Sequence, residues 1–472
     1  MPTDPRGLRS DAPLLDAWLR FHEEAPTPFT IPGHKHRHDL VGDVIAGDVP
    51  YYGGLDTMKV TRGVLARAQQ RAARAWGVDA AFLLVGGSTQ ANQAAVLAVA
   101  RPGDRVLVGR ALHRSVFLGL VLAGLEPVWL DSRVDPETGL PQGISREVLE
   151  DGLRRAPDVV AAFVTDPTYV GTLGDVGGAA QAAHAHGIPL IVDAAWAAHF
   201  GFHPEVPAHA LARGADALVT SAHKTLPAWS QGAVLLARTE RIDPARLEAA
   251  VEATATTSPS GAILASVDAA RALLESSGEE LLGELIRVVA QARSRLAQVP
   301  GLVVPSGPDV DPAKLIVLLS GAGADGVQVE QDLLRAGMPV EMADRDTIVA
   351  LVTLADRRDD VARFVDVLTA AVERHRGMPR ALTPSVVWAL RPEQVLTPRE
   401  AFFAATRTVP ADQAVGQVSA ELIAPYPPGI PAVAPGERIT AELLDALRAA
   451  RADGTRIAYA ADPSLETLRV VR

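Results

Sequence analysis

Between about residues 56 and 240, short apolar runs rich in β-branched residues alternate with longer, Ala-rich segments of helical period, and no other feature narrows the possible folds as far. The runs fall at 82–85, 105–109, 127–130, 159–165, 189–193, 217–221 and 232–237. They read as buried strands, and several spacers are long enough to be crossover helices. The fold expected is α/β, with a mostly parallel seven-stranded sheet in a large domain.

The flanks read differently. Pro26, Pro28, Pro32 and Gly33 punctuate residues 1–55, which suit an N-terminal arm packed on something else. The large domain is expected over 56–300, closing with a long helical pattern at 262–298 that ends on Pro300 and Gly301. A strand at 314–319, a turn at 320–323 and a strand at 347–354 predict a smaller α/β domain over 301–379. A C-terminal domain over 380–472 follows. Its stretch from Pro425 to Gly436 holds five prolines and two glycines, so an ordered loop or a linker without regular structure is expected there. At 472 residues, two or three units that share cores are the natural expectation.

Composition then limits the chemistry. Cysteine is absent, which removes thiol nucleophiles, CxxC redox pairs and Cys-ligated metals. Lysine occurs only at Lys35, Lys59, Lys224 and Lys314, so chemistry that needs a primary amine has four candidates. A net charge of −11 and an aromatic fraction of 4% argue against a nucleic-acid partner, and the acidic balance suits a small cationic substrate. No run approaches the length of a membrane span, and the first residues have no apolar signal region, so no membrane partner and a cytoplasmic location are expected. His34, His36 and His38 alternate in a Pro-rich loop, but nothing there fixes ligand geometry, and no metal site is expected.

Four features sit near the ends of the expected strands, where open α/β sheets bind ligands. The string GGSTQ at 86–90 joins a strand to a helix, and small residues with hydroxyls at a helix N-terminus favour phosphate. An ordinary glycine turn with a Ser/Thr N-cap would look the same. Asp193 closes the run at 189–193, where a carboxylate is costly unless something positive, such as a protonated ring nitrogen, or an arginine or helix N-terminus meets it. Lys224, in the string SAHKT at 221–225, stands in an apolar, small-residue setting that would lower its pKa and make its amine nucleophilic toward a carbonyl. His113 follows the run at 105–109 and could lie flat on a planar cofactor or be a satisfied structural histidine. A phosphate loop, a strand-end Asp and a strand-end Lys in this order are the parts of a pyridoxal phosphate site: a lysine to bond the cofactor, an acid for its pyridine nitrogen, a helix end for its phosphate.

Several strings carry a family resemblance: PGHK at 32–35, GST at 87–89, HRSV at 113–116, DPTY at 166–169, DAAW at 193–196, SAHKTLP at 221–227 with Gln231 and Gly232, TSPS at 257–260, and PYPPGIP at 425–431 followed by PGE at 435–437. Over nearly its whole length the chain resembles the Orn/Lys/Arg decarboxylases, pyridoxal-phosphate-dependent enzymes of fold type I, in a short form without an N-terminal wing domain. The resemblance implies decarboxylation of a basic amino acid (lysine, arginine or ornithine) by a homodimer or higher homo-oligomer with active sites at the subunit interface. It implies Lys224 as the cofactor-bonding lysine, Asp193 at the pyridine nitrogen and His113 stacked on the ring. Ser88, Thr89, Ser221 and His223 would hold the phosphate, with Gln90 a further candidate, and Ala195 and Trp196 would line the cofactor's other face or its O3′ side. His223 or Lys224 would return a proton to Cα, and Glu437 would recognise the basic end of the substrate. The PGHK arm and Thr257–Ser258 would approach the partner's active site. On the same scaffold an aminotransferase or another lyase is an alternative, and a non-catalytic regulatory homologue is the alternative from another class.

Overall fold

The computed structural model describes residues 38–42, 63–257, 259–381, 387, 390–426 and 429–472. Most of the expected N-terminal arm, including its PGHK string, His34 and His36, lies outside these residues, as do Lys59 and Ser258; of the arm only 38–42 are described, with a one-turn helix at His38–Val41.

Seven strands form the main sheet: β1 (Ala80–Leu84), β2 (Arg105–Gly109), β3 (Glu126–Leu130), β4 (Ala162–Thr165), β5 (Leu190–Asp193), β6 (Ala217–Ser221) and β7 (Ala233–Ala237), in the order β1-β7-β6-β5-β4-β2-β3. Only β7 runs against its neighbours. The other pairs inside the sheet are parallel. The strands at the centre, β4 to β7, are apolar on both faces because helices cover both. Every expected run became a strand, with ends shifted by at most three residues: β1 and β3 begin earlier than expected and the others match or are shorter.

Helix α1 (Val64–Ala75) precedes β1, and four crossover helices fill the spacers between the strands that follow: α2 (Gly87–Val99), α3 (Arg114–Ala123), α4 (Arg146–Arg155) and α5 (Val176–Ala185). Ser145 and Asp175 cap α4 and α5 through their side chains, satisfying backbone N–H groups that each first turn leaves open. A 36-residue helix, Gly261–Leu296, runs from the large sheet to a three-stranded sheet of order β8-β10-β9, built from β8 (Lys314–Leu318), β9 (Met342–Ala343) and β10 (Thr347–Leu351). One continuous apolar cluster extends from Ala68 through the helix to Val372, so the large and small sheets share a core.

The C-terminal residues have a core of their own, around Ile423, Val433, Leu443 and Val470. Leu422, Ala424 and Ala434 from the same region join the second cluster of the large sheet, beside α2 and α3. One expectation needs correction here. The proline-rich stretch is not wholly irregular, because Ala424–Tyr426 pairs antiparallel with Arg456–Ala458. This ladder has only two strands, so the nitrogen of Pro425, which cannot donate, is tolerated there. Among the described residues no helix is long and apolar enough to cross a membrane.

Candidate active site

Because β1, β2, β5 and β6 point the same way, their C-terminal ends open on one edge of the sheet. From β1 the chain turns through Gly86 into α2, whose first turn carries Ser88 and Thr89. From β2 it passes Ala111 to His113, the N-cap of α3. Asp193 is the last residue of β5, and Ser221, the last of β6, leads into a one-turn helix, Ala222–Thr225, that carries His223 and Lys224. These ends surround a cavity of about 690 Å³, lined by Ser88, Thr89, His113, Asp193, Ala195, Trp196, Ser221, His223 and Lys224, together with Tyr169, Gln231, Glu341, Tyr426 and Tyr459.

Long-range hydrogen bonds hold these groups in place. The Ser88 and Ser221 hydroxyls meet at 2.7 Å, joining the first turn of α2 to the end of β6. Asp193 accepts from Asn92 Nδ2 at 2.8 Å and from the Ala195 N–H at 3.2 Å. Asn92 Nδ2 also lies 2.9 Å from Ser115 Oγ, which in turn lies 2.7 Å from His113 Nδ1. That nitrogen accepts from the Ser115 N–H, so a neutral His113 carries its proton on Nε2. Across the loop, Gly87 N donates to Gln231 O at 2.8 Å. Gly87 meets this contact at a φ of 67° and Gln231 at 75°. A glycine adopts that conformation at little cost, whereas Gln231 holds it under strain beside the cavity.

Burial sets the protonation states. Lys224 is held below its ordinary pKa by desolvation, opposed by the negative charges of Asp193 and Glu341. Its Nζ sits 4.0 Å from the centre of the Trp196 ring, and Lys314 Nζ sits 3.6 Å from the same ring. Desolvation pushes His223 down to about 4, and its Nδ1 donates to Gly232 O at 2.9 Å, leaving Nε2 as the acceptor. His113 faces the open cavity, yet the surrounding protein lowers its pKa by desolvation. Asp193 works against this shift, and Lys224 and Arg114 add to it.

Two expected residues are placed elsewhere. Gln90 does not reach the cavity: its Oε1 folds back to accept from Gly86 N at 3.0 Å, one helical turn away, and the side chain faces a separate groove with Phe82 and Leu264. Glu437 is fully buried and closed in a two-pronged pair with Arg110, at 2.5 and 2.8 Å, while also accepting from the Ala434 N–H. Its carboxylate is committed to holding the C-terminal unit on the end of β2 and does not line the cavity. The acid that does line it, besides Asp193, is Glu341, which sequence reading missed; so were Asn92, Tyr169 and Tyr426 as parts of the site. Tyr169 and Tyr426 stood within recognised strings without a role, and Asn92 lay two residues beyond the GGSTQ string. Glu341 had no local signal.

The sheet order, with its single antiparallel strand, defines the class by its fold: this is fold type I, the fold of solved pyridoxal-phosphate enzymes. The signature described as Orn/Lys/Arg decarboxylase, major domain, matches residues 12–310, and that described as Orn/Lys/Arg decarboxylase, C-terminal domain, matches 381–457. The chain belongs to the Orn/Lys/Arg decarboxylase family. The arginine decarboxylase of Bacillus subtilis is 31% identical over 98% of both chains. Among solved structures, lysine decarboxylase A from Pseudomonas aeruginosa superposes with a TM-score of 0.76 at 21% identity, covering 100% of this chain and 78% of its own. An SPT solved with PLP shares the fold more distantly, with a TM-score of 0.56 at 15% identity over 78% of this chain and 98% of its own.

Proposed function

We propose that this protein binds pyridoxal 5′-phosphate and decarboxylates a basic L-amino acid, arginine, lysine or ornithine, to the corresponding amine and CO₂. The observation that carries the proposal is the meeting, in one cavity, of a desolvated amine at Lys224, a held carboxylate at Asp193 and the paired hydroxyls of Ser88 and Ser221 at a helix N-terminus. These groups match the three polar parts of the cofactor, and the cavity has room for it with a small amino acid.

Ser88, Thr89 and Ser221, with the first turn of α2, would hold the phosphate. Asp193, fixed by Asn92 and the Ala195 N–H, would keep a proton on the ring nitrogen. His113 would cover one face of the ring, with Ala195 and Trp196 on the other side. When bound, the cofactor supplies a carbonyl that condenses with amines and a ring that accepts the electron pair released when a bond at Cα breaks. Lys224, its pKa lowered, presents a larger share of neutral amine for that condensation than an exposed lysine would. Once CO₂ has left, Lys224 Nζ would return the proton to Cα; His223, neutral with its proton on Nδ1, has none to give from Nε2 and would first have to take one up. The same reading carries a cytoplasmic homodimer or larger homo-oligomer with active sites at the subunit interface.

Purified protein supplied with the cofactor should release CO₂ and the matching amine from at least one of arginine, lysine and ornithine. Arginine is the first to assay, because the relatives matched end to end carry that name. Formation of a keto acid, or no product across the panel, would overturn the reading.

A further inference from the structure

We infer that Glu341 is the residue that selects a cationic substrate, accepting the charged end of its side chain in a cage completed by Tyr169, Tyr426 and Trp196. The inference rests on the proposed decarboxylase reading and adds to it the origin of charge selection.

Among the described residues the cavity wall contains two carboxylates, Asp193 and Glu341. Asp193 is buried at the strand ends and held by the donors named above, so it faces the chemistry. Glu341 comes from the small sheet. Its N–H donates to Val349 O at 3.1 Å on the ladder joining β9 and β10, which fixes the backbone from which the carboxylate projects. Tyr169 donates its hydroxyl to Glu341 Oε1 at 3.0 Å. Burial, and then the Glu341 charge, push the Tyr169 pKa upward, so this hydroxyl remains a donor. The Tyr426 hydroxyl lies 3.3 Å from that of Tyr169, and the Tyr169 ring meets Trp196 edge to face at 5.2 Å.

An oriented carboxylate among aromatic rings, in a partly desolvated wall, is the environment that favours a guanidinium or ammonium group over a neutral one. The charge of Glu341, after that of Asp193, opposes the desolvation that holds the Lys224 pKa down, so it acts within the cavity. The cage draws on three parts of the chain: Tyr169 and Trp196 from the large sheet, Glu341 from the small one and Tyr426 from the C-terminal unit. It therefore exists only when all three are docked.

The test uses amines that lack a carboxylate, so binding is read without turnover. The shift in cofactor absorbance of the holoenzyme is titrated with cadaverine against pentylamine and with agmatine against N-carbamoylputrescine. Wild type should prefer the charged member of a pair by roughly 30-fold or more, and Glu341→Gln should reduce that preference to within about threefold. Glu341→Asp, which keeps the charge on a shorter arm, should fall between the two and provides the same readout if the Gln variant does not fold. Equal preference in wild type and Glu341→Gln, a uniform loss for charged and neutral amines alike, or no charge preference in wild type would each overturn the inference. The CO₂ assay decides the decarboxylase reading separately, so either can fail alone.

Discussion

Asn92 donates to Asp193 at 2.8 Å across 101 residues of sequence, and through Ser115 the same amide reaches the histidine at the cavity's edge. Removing it leaves a buried carboxylate short of a donor. We expect Asn92→Ala to lose about 1–3 kcal/mol in urea unfolding. Asn92→Asp should lose more and release the cofactor on dialysis, because two adjacent carboxylates oppose each other's ionisation. Unchanged stability and cofactor retention in both variants would show that the contact is dispensable.

His223 gives the fold a specific acid sensitivity. Its folded pKa of about 4 lies below the ordinary 6.5, so between these values the unfolded chain binds more protons. The associated stability is present above pH 6.5 and is lost as pH falls toward 4. The loss is roughly 2 kcal/mol by pH 5 and roughly 3 kcal/mol in full. In urea titrations of apoprotein at pH 7 and pH 5, His223→Gln should lose correspondingly less than wild type between the two conditions.

The Arg110–Glu437 pair couples the C-terminal unit to the cavity. Besides its two contacts with the carboxylate, Arg110 donates to the carbonyls of Pro431 and Ala432 and stacks its guanidinium 4.8 Å from the Trp129 ring. Glu437→Ala leaves this largely buried cation without its counter-charge and should cost about 3 kcal/mol by urea unfolding. A cost near zero would mean that the pair does not hold the units together.

Gly86 and Gly87 should respond differently to alanine. At Gly87 the nearest atoms to an added Cβ are 4.0 Å away, so only the positive φ is penalised, at about 1–2 kcal/mol. At Gly86 the Cβ would sit 2.8 Å from Gln90 Cβ, displacing that side chain and its hydrogen bond. Gly86→Ala and Gln90→Ala should therefore be non-additive in a double-mutant cycle.

Lys224 offers a chemical check. Borohydride treatment of the holoenzyme should fix the cofactor covalently to wild type and leave Lys224→Ala unlabelled by mass spectrometry. A label that persists on the variant would place the bond at another lysine, with Lys314, the second amine beside the Trp196 ring, the first to examine.

Strand identity was legible because buried strands announce themselves by composition, and the strand-end positions of Asp193, Ser221 and Lys224 followed directly from it. Gln90 was misplaced because a glutamine in a first helical turn can reach back to its own loop as readily as outward. Pro425 hid a short strand, since a two-stranded ladder tolerates a residue that a central strand would reject. A signal for the Glu437 error was present: Arg110, at the end of an apolar run, needed an acid, but nothing local says that its partner lies 327 residues away.

The sequence by itself determined the alternation that builds the sheet, the edge on which ligand-binding groups gather, and the family, since these depend on periodicity and on strings of neighbouring residues. The tertiary structure alone decided which of two glutamates is spent on an arginine and which faces the cavity. Glu437 and Glu341 carry the same side chain, and their roles diverge because pairing and exposure are set by contacts between elements far apart in the chain.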